Sequence, residues 1–247
     1  MSNQPRQPIG GALLHIQSDL TAEVDAFTRW CDSVHHAEAL EVDGFVSGRR
    51  FELVPGYRYA ATAGARFLTA YQLADEHVLD TDSYRDHVAR TTPAPPGVME
   101  SLTYTRTIYR ERYPDGGWLS PDGTVESGEQ PIGAAILHVM MDVEPAWDGE
   151  LNAWYAEEHL PALLEVPGML GARRFVDANW PSGGVAEAAG RHQYLAVYEL
   201  VDAAVVGSEE YAKACEVSPR TAEIAPHISF YSQVYRQVFP ASGALTP

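Results

Sequence analysis

Apolar residues along the chain switch between two periods. Gly11 to Leu20 (GALLHIQSDL) alternates, with Ala12, Leu14 and Ile16 on one face and Leu13, His15 and Gln17 on the other, which predicts a strand with one dry and one semi-polar face. From Thr21 to about Val42 the period becomes helical, with Phe27, Trp30, Cys31 and Val34 three and four apart and Asp19 or Thr21 placed to cap the helix. Gly44 to Leu53 and Arg66 to Leu73 read as strands two and three. A second helix is expected from Asp80 to Arg90. After the proline-rich connection Thr91 to Gly97, a fourth strand runs from Leu102 to Tyr109. The order is β-α-β-β-α-β.

The second half repeats it. Pro114 to Pro131 is dense in turn residues and has no hydrophobic period, so it reads as a linker. Strands are then expected at Ala134 to Asp142, Met169 to Val176, Gln193 to Leu200 and Ile228 to Val238. Helices are expected at Asp148 to about Leu164 and from Ser208 to Glu216, with a loop at Asn179 to Gly190. The stretch Trp154 to Phe175 (WYAEEHLPALLEVPGMLGARRF) copies Trp30 to Phe51 (WCDSVHHAEALEVDGFVSGRRF). Trp30 matches Trp154, His35 matches His159, Gly44 matches Gly168, and Arg49-Arg50-Phe51 matches Arg173-Arg174-Phe175, all 124 positions apart. So many matches at one offset indicate a duplicated unit. The division is a first repeat at 1–114, a linker at 115–131 and a second repeat at 132–247.

Each repeat has the ferredoxin-like split pattern, a four-stranded antiparallel sheet with two helices on one face. Two helices leave the other face bare, and the other repeat is at hand to cover it. The expected fold class is therefore α+β: two tandem ferredoxin-like units packed sheet to sheet as an eight-stranded α/β barrel within one chain.

With 34 acidic and 17 basic side chains the formal charge is −17, which opposes phosphate backbones and anionic lipid, so neither nucleic acid nor membrane is an expected partner. No stretch is apolar for long enough to be a signal peptide or a bilayer span. The two cysteines, Cys31 and Cys215, fall at non-equivalent places, with no metal-ligand spacing. A cytoplasmic protein acting on a small molecule, with self-association of the two-repeat chain left open, is the economical expectation.

The residues Trp154, Glu158, His159, Pro161, Pro167 and Gly168, in the order W-x-x-x-E-H-x-P-x-x-x-x-x-P-G, resemble the EthD-type branch of the dimeric α/β-barrel superfamily. The first repeat departs from that pattern, with Val34 for Glu158, His36-Ala37 for Leu160-Pro161 and Asp43 for Pro167, so the resemblance places activity in the second repeat. It also implies a diverse chemistry that ranges from cofactor-free monooxygenases and muconolactone isomerases to polyketide cyclases and haem-using lyases.

On this reading His159, four residues after Tyr155 on one helix face and next to Glu158, is the expected general acid/base. Its alternative is a helix-end histidine bonded to a backbone carbonyl near Pro161. His138 and His15 fall at matching mid-strand places, as substrate contacts or as core histidines satisfied by a tyrosine. Trp154, His35, Tyr194 and Tyr198 are expected against the substrate. Of the neighbours Arg173 and Arg174, one is expected to bind an enolate or carboxylate and the other to face solvent. The expected activity is a lyase, isomerase or cyclase on an oxygenated aromatic, lactone or polyketide-like compound, with no organic cofactor and no metal. Haem and a metal ion are left open. A monooxygenase and a non-catalytic binding module are the alternatives.

Overall fold

The computed structural model describes residues 4–57, 64–180, 191–216 and 218–247. Twelve strands follow in chain order: β1 (Arg6–Pro8), β2 (Ala12–Leu20), β3 (Phe45–Leu53), β4 (Phe67–Leu73), β5 (Leu102–Tyr113), β6 (Trp118–Leu119), β7 (Val125–Glu126), β8 (Glu129–Pro131), β9 (Ala135–Val143), β10 (Met169–Asp177), β11 (Tyr194–Leu200) and β12 (Ile228–Phe239). The long ones form a closed ring. β3, β4, β2 and β5 make one four-stranded sheet, and β10, β11, β9 and β12 the other. The ring closes where β5 meets β10 (Arg174 opposite Tyr113) and where β12 meets β3 (Tyr235 opposite Leu53). Eight antiparallel strands with no free edge make the expected intrachain barrel. Most of the loop expected at Asn179 to Gly190 lies outside the described residues.

Helical stretches at 24–39 and 148–164 pack on the outer faces of the two sheets, each after its repeat's first strand. The second helix of each repeat opens with a side-chain cap: the Thr81 hydroxyl accepts from the Tyr84 N–H at 3.2 Å, and the Ser208 hydroxyl from Tyr211 at 3.1 Å. After each first helix the chain turns at Gly44 or Gly168, both at φ +94°, against Val78 or Val205. Only glycine tolerates that angle freely.

Two stretches differ from the sequence reading. Residues 4–10, ahead of the first element expected from sequence, contribute β1, which pairs with β8. The stretch 115–131, expected to be strandless, holds β6, β7 and β8, and Trp118 and Leu119 are buried. Strands of two and three residues are too short to show a period. Trp118 packs against Gly171, where a Cβ would sit 1.5 Å from its ring. The segment between the repeats therefore closes one end of the barrel.

Closure buries both faces of the strands, which corrects the expectation for the arginines. Arg173 and Arg174 are 3% and 2% exposed, and neither faces solvent. Arg173 and its counterpart Arg49 point into the barrel. Arg49 bonds Glu199 and Gln237, while Arg173 bonds Gln72 at 2.9 Å and Glu111 at 2.7 Å. Ser47 opposite Gln72 and Gly171 opposite Glu199 are equivalent pairs, as are Glu111 and Gln237 on β5 and β12. Each interior guanidinium thus receives one carboxylate and one amide, on opposite strands in the two repeats.

Removing one partner of such a buried pair strands a charge, at a cost of about 3–5 kcal/mol. Arg49→Leu is expected to lower unfolding stability by that order in urea titration. The double variant Arg49→Leu/Glu199→Leu is expected to recover much of the loss.

Candidate functional site

Both first helices widen at the same place. Residues Cys31–His35 and Tyr155–His159 form a single π-helical turn inside an otherwise α-helical stretch. Pro161 lacks an N–H and so frees a carbonyl in the second repeat. Ala37 takes its place in the first, so the turn does not depend on proline. The widened turn brings residues five apart onto one face. Trp30 stacks on His35 at 4.6 Å between centroids, and Trp154 on His159 at 4.3 Å.

Around His159 the structure gathers most of the residues singled out in the second repeat. The Arg174 guanidinium lies 3.9 Å over the Tyr155 ring and 5.3 Å from that of Tyr194, and it donates to Asn152 Oδ1 at 3.0 Å. Tyr198 is fully buried in the same layer. Tyr194 and Tyr198 therefore face the helices and not the barrel interior. Burial, and then Arg174, lowers the His159 pKa to about 4. Glu158 makes no hydrogen bond or ion pair among the described residues. The Tyr155 ring is 2% exposed and packs edge-on to that of His159 at 5.0 Å, taking up the space beside it.

The first repeat differs at this point. Cys31 stands where Tyr155 does, and a cavity of about 230 Å³ opens between helix and sheet. Trp30, Cys31, His35, Thr69, Tyr84 and His87 line it, within a mostly apolar wall. His35 Nδ1 is buried without a partner, and burial, followed by nearby His87, lowers the pKa of its ring. Arg106 Nη1 donates to the Tyr84 hydroxyl at 2.9 Å beside it. The counterpart of Arg174 here, Arg50, is neutralised by Asp32 through bonds of 2.7 and 2.9 Å.

His15 and His138 are elsewhere. They meet at the centre of the barrel, Nε2 to Nε2 at 2.7 Å with rings stacked at 4.7 Å, and Tyr109 and Tyr235 stand edge-on to them. Each is satisfied at Nε2 by the other, not by a tyrosine hydroxyl, and His138 Nδ1 is buried without a partner. The cavity beside them, about 30 Å³, has room for a water or two. Burial holds both rings neutral, with the His15 pKa lowered to about 3 and that of His138 well below normal.

Sequence reasoning passed over one polar pair. His192 Nδ1 lies 2.7 Å from Asp142 Oδ2 at the barrel end opposite Trp118. Its signal was an aspartate at matching positions, Asp19 and Asp142, with a histidine just before only one of the third strands.

No protein-family model and no curated protein matches the chain. Solved structures match in fold. An anthrone oxidase-like protein is 14% identical with a TM-score of 0.56, over 95% of this chain and 94% of that one. A chlorite dismutase variant from Candidatus Nitrospira defluvii is 10% identical with a TM-score of 0.54, over 93% and 92%. A protein assigned as a monooxygenase from Lactobacillus acidophilus NCFM is 9% identical with a TM-score of 0.50, over 96% and 99%. The chain has the dimeric α/β-barrel fold of these proteins.

The chlorite dismutases are haem proteins, which overturns the expectation that this chain works without an organic cofactor: the fold does not imply it. Whether haem could sit here depends on the room around the histidines. The cavity beside His35, at about 230 Å³, is smaller than the roughly 300–1,000 Å³ of sites for drug-sized ligands, and a macrocycle needs more. His15 and His138 occupy each other, the cleft beside His192 holds only about 310 Å³, and the cavity of about 630 Å³ beside Leu40 and Phe239 has no histidine in its wall. The described residues do not fit haem as they stand. Among them no three His, Cys, Asp or Glu side chains gather to hold a metal ion, and no helix is long and apolar enough to cross a membrane.

Histidines buried in the neutral form set a pH dependence. Their folded pKa values lie below the ordinary 6.5, at about 3 for His15 and His36 and about 4 for His159. Above 6.5 both states are neutral. As pH falls through 6.5 the unfolded chain binds protons that the folded chain refuses, so stability is lost from there down toward the folded values. Each such proton costs about 1.4 kcal/mol per pH unit. Urea midpoints are expected to fall between about pH 7.5 and 5.5, where carboxylates stay ionised. The slope is expected to be shallower in the double variant His15→Leu/His138→Leu.

Proposed function

We propose that the chain is a small-molecule enzyme of oxidative type, and that its site is the cavity of the first repeat. The observation that carries this reading is His35: its ring borders open space and one ring nitrogen has no partner, whereas its counterpart His159 is packed against Tyr155. There His35 takes a proton from a hydroxylated aromatic ketone or phenol. The electron-rich enolate or phenolate left behind is the form that reacts with oxygen. Burial keeps the imidazole neutral and therefore able to accept the proton. Trp30 and the apolar wall hold the aromatic body, and Tyr84 and Thr69 offer hydroxyls to its oxygens.

Support for the oxidative class comes from the fold neighbours described as anthrone oxidase-like and as a monooxygenase. The EthD-type pattern carries less of the reading, since it is complete only around His159. The reading moves the proton-transfer role from His159 to His35. A lyase, isomerase or cyclase would begin with the same proton transfer and consume no oxygen.

Oxygen uptake with a tricyclic hydroxylated ketone tests this. His35→Ala is expected to lower kcat/KM by about 10²–10⁴-fold. Cys31→Tyr, which gives the first repeat the side chain that fills the second, is expected to abolish turnover with circular dichroism unchanged. His159→Gln is expected to leave the rate nearly unchanged. Product formation without oxygen uptake would assign the isomerase or cyclase class. Binding of the ketone without any product would leave only a ligand-binding module.

A further inference from the structure

The barrel has two ends, and they differ. Trp118 and the segment between the repeats close one. At the other, a cleft of about 310 Å³ is lined by Gln17, Asp19, Tyr104, His192, Tyr231 and Gln233, residues from both repeats. Tyr104 and Tyr231 are 58% and 44% exposed there, and the Tyr231 ring lies 4.7 Å from that of His192.

The two repeats show which of these residues the fold requires. Asp19 Oδ1 accepts the Arg66 N–H and Asp142 Oδ1 the Gln193 N–H, both at 2.8 Å, so each aspartate anchors the start of its repeat's third strand. Tyr235 and Tyr109 donate to the backbone carbonyls of Ala65 and His192, at 2.9 and 3.1 Å. The anchoring is thus complete in the first repeat with an alanine at position 65. The imidazole at position 192 adds nothing to it. Its Nδ1 bonds Asp142 Oδ2, and its Nε2 has no protein partner among the described residues. A carboxylate on Nδ1 places the proton there and leaves the Nε2 lone pair free, as a general base requires.

We infer that this end of the barrel is a second ligand site, in which His192, positioned by Asp142, takes the proton of a neutral phenol lying against Tyr104 and Tyr231. The O–H bond breaks and an N–H bond forms at Nε2. The phenolate then faces an imidazolium whose charge Asp142 balances. The two aspartates disfavour a ligand that arrives as an anion. The amides of Gln17 and Gln233, bonded to each other at 2.9 Å, floor the cleft.

4-Nitrophenol tests the site, because its ionised form absorbs in the visible. With the full chain in slight acid, where the free probe is mostly protonated, binding is expected to raise the nitrophenolate band. The band is expected to persist in Cys31→Tyr, whose first-repeat cavity is blocked. It is expected to vanish in His192→Ala. In Asp142→Asn the amide oxygen still accepts from Gln193 while the amide N–H donates to Nδ1, so Nε2 carries the proton; the probe is expected to bind and stay protonated. A band unchanged in His192→Ala, a band lost in Cys31→Tyr, or no binding to the full chain would overturn the inference. None of these results bears on oxygen uptake at His35.

Discussion

A four-stranded sheet with helices on one face has a second face that water cannot be left to cover. In this chain the duplicated unit supplies the cover, and closure of eight strands into a ring follows. The consequence is an interior reached from both repeats that is far from oily. Two guanidiniums, two carboxylates and two imidazoles lie inside it, and each must be satisfied locally or destabilise the whole barrel. Approximate two-fold symmetry supplies the solution. Each arginine receives a carboxylate and an amide contributed across the ring. The two histidines, being equivalent, meet and share one hydrogen bond.

The architecture was legible because it is written in quantities that sequence preserves. Strand and helix periods gave the element order, and the matches from Trp30 and Trp154 to Phe51 and Phe175 gave the duplication. Glycine at 44 and 168 marked a backbone angle that other residues resist. What sequence could not give was packing. Arg174 and Arg173 alternate on a strand, but nothing local says that both faces of that strand are buried. The contact between Trp154 and His159 depends on a π turn that no residue pattern announced. The three short strands of the segment between the repeats fall below any detectable period.

The cavity was missed for a different reason. Motif completeness pointed to the second repeat, while open volume lies in the first, under the less complete copy. The two properties diverge because the side chains that complete a pattern also occupy space. Tyr155 is one of the residues that drew attention to His159, and its ring is what leaves that histidine no room.

The exchange at this position involves more than volume. In the first repeat Arg50 is neutralised by Asp32, one residue beyond Cys31 on the helix. The second repeat has Ala156 in place of Asp32, and Arg174 is left with one hydrogen bond, to Asn152, and two buried nitrogens without partners. An unpaired buried cation is costly, and the face of an aromatic ring 3.9 Å away is the compensation at hand. Tyr155 therefore serves two ends at once: it closes the pocket, and it stabilises a cation that has no carboxylate partner. The two repeats thus differ at both neighbouring positions, Cys31-Asp32 against Tyr155-Ala156, and in each the arginine has one compensating partner from that pair. The open cavity lies in the repeat whose arginine keeps its carboxylate, and the filled one in the repeat whose arginine has none.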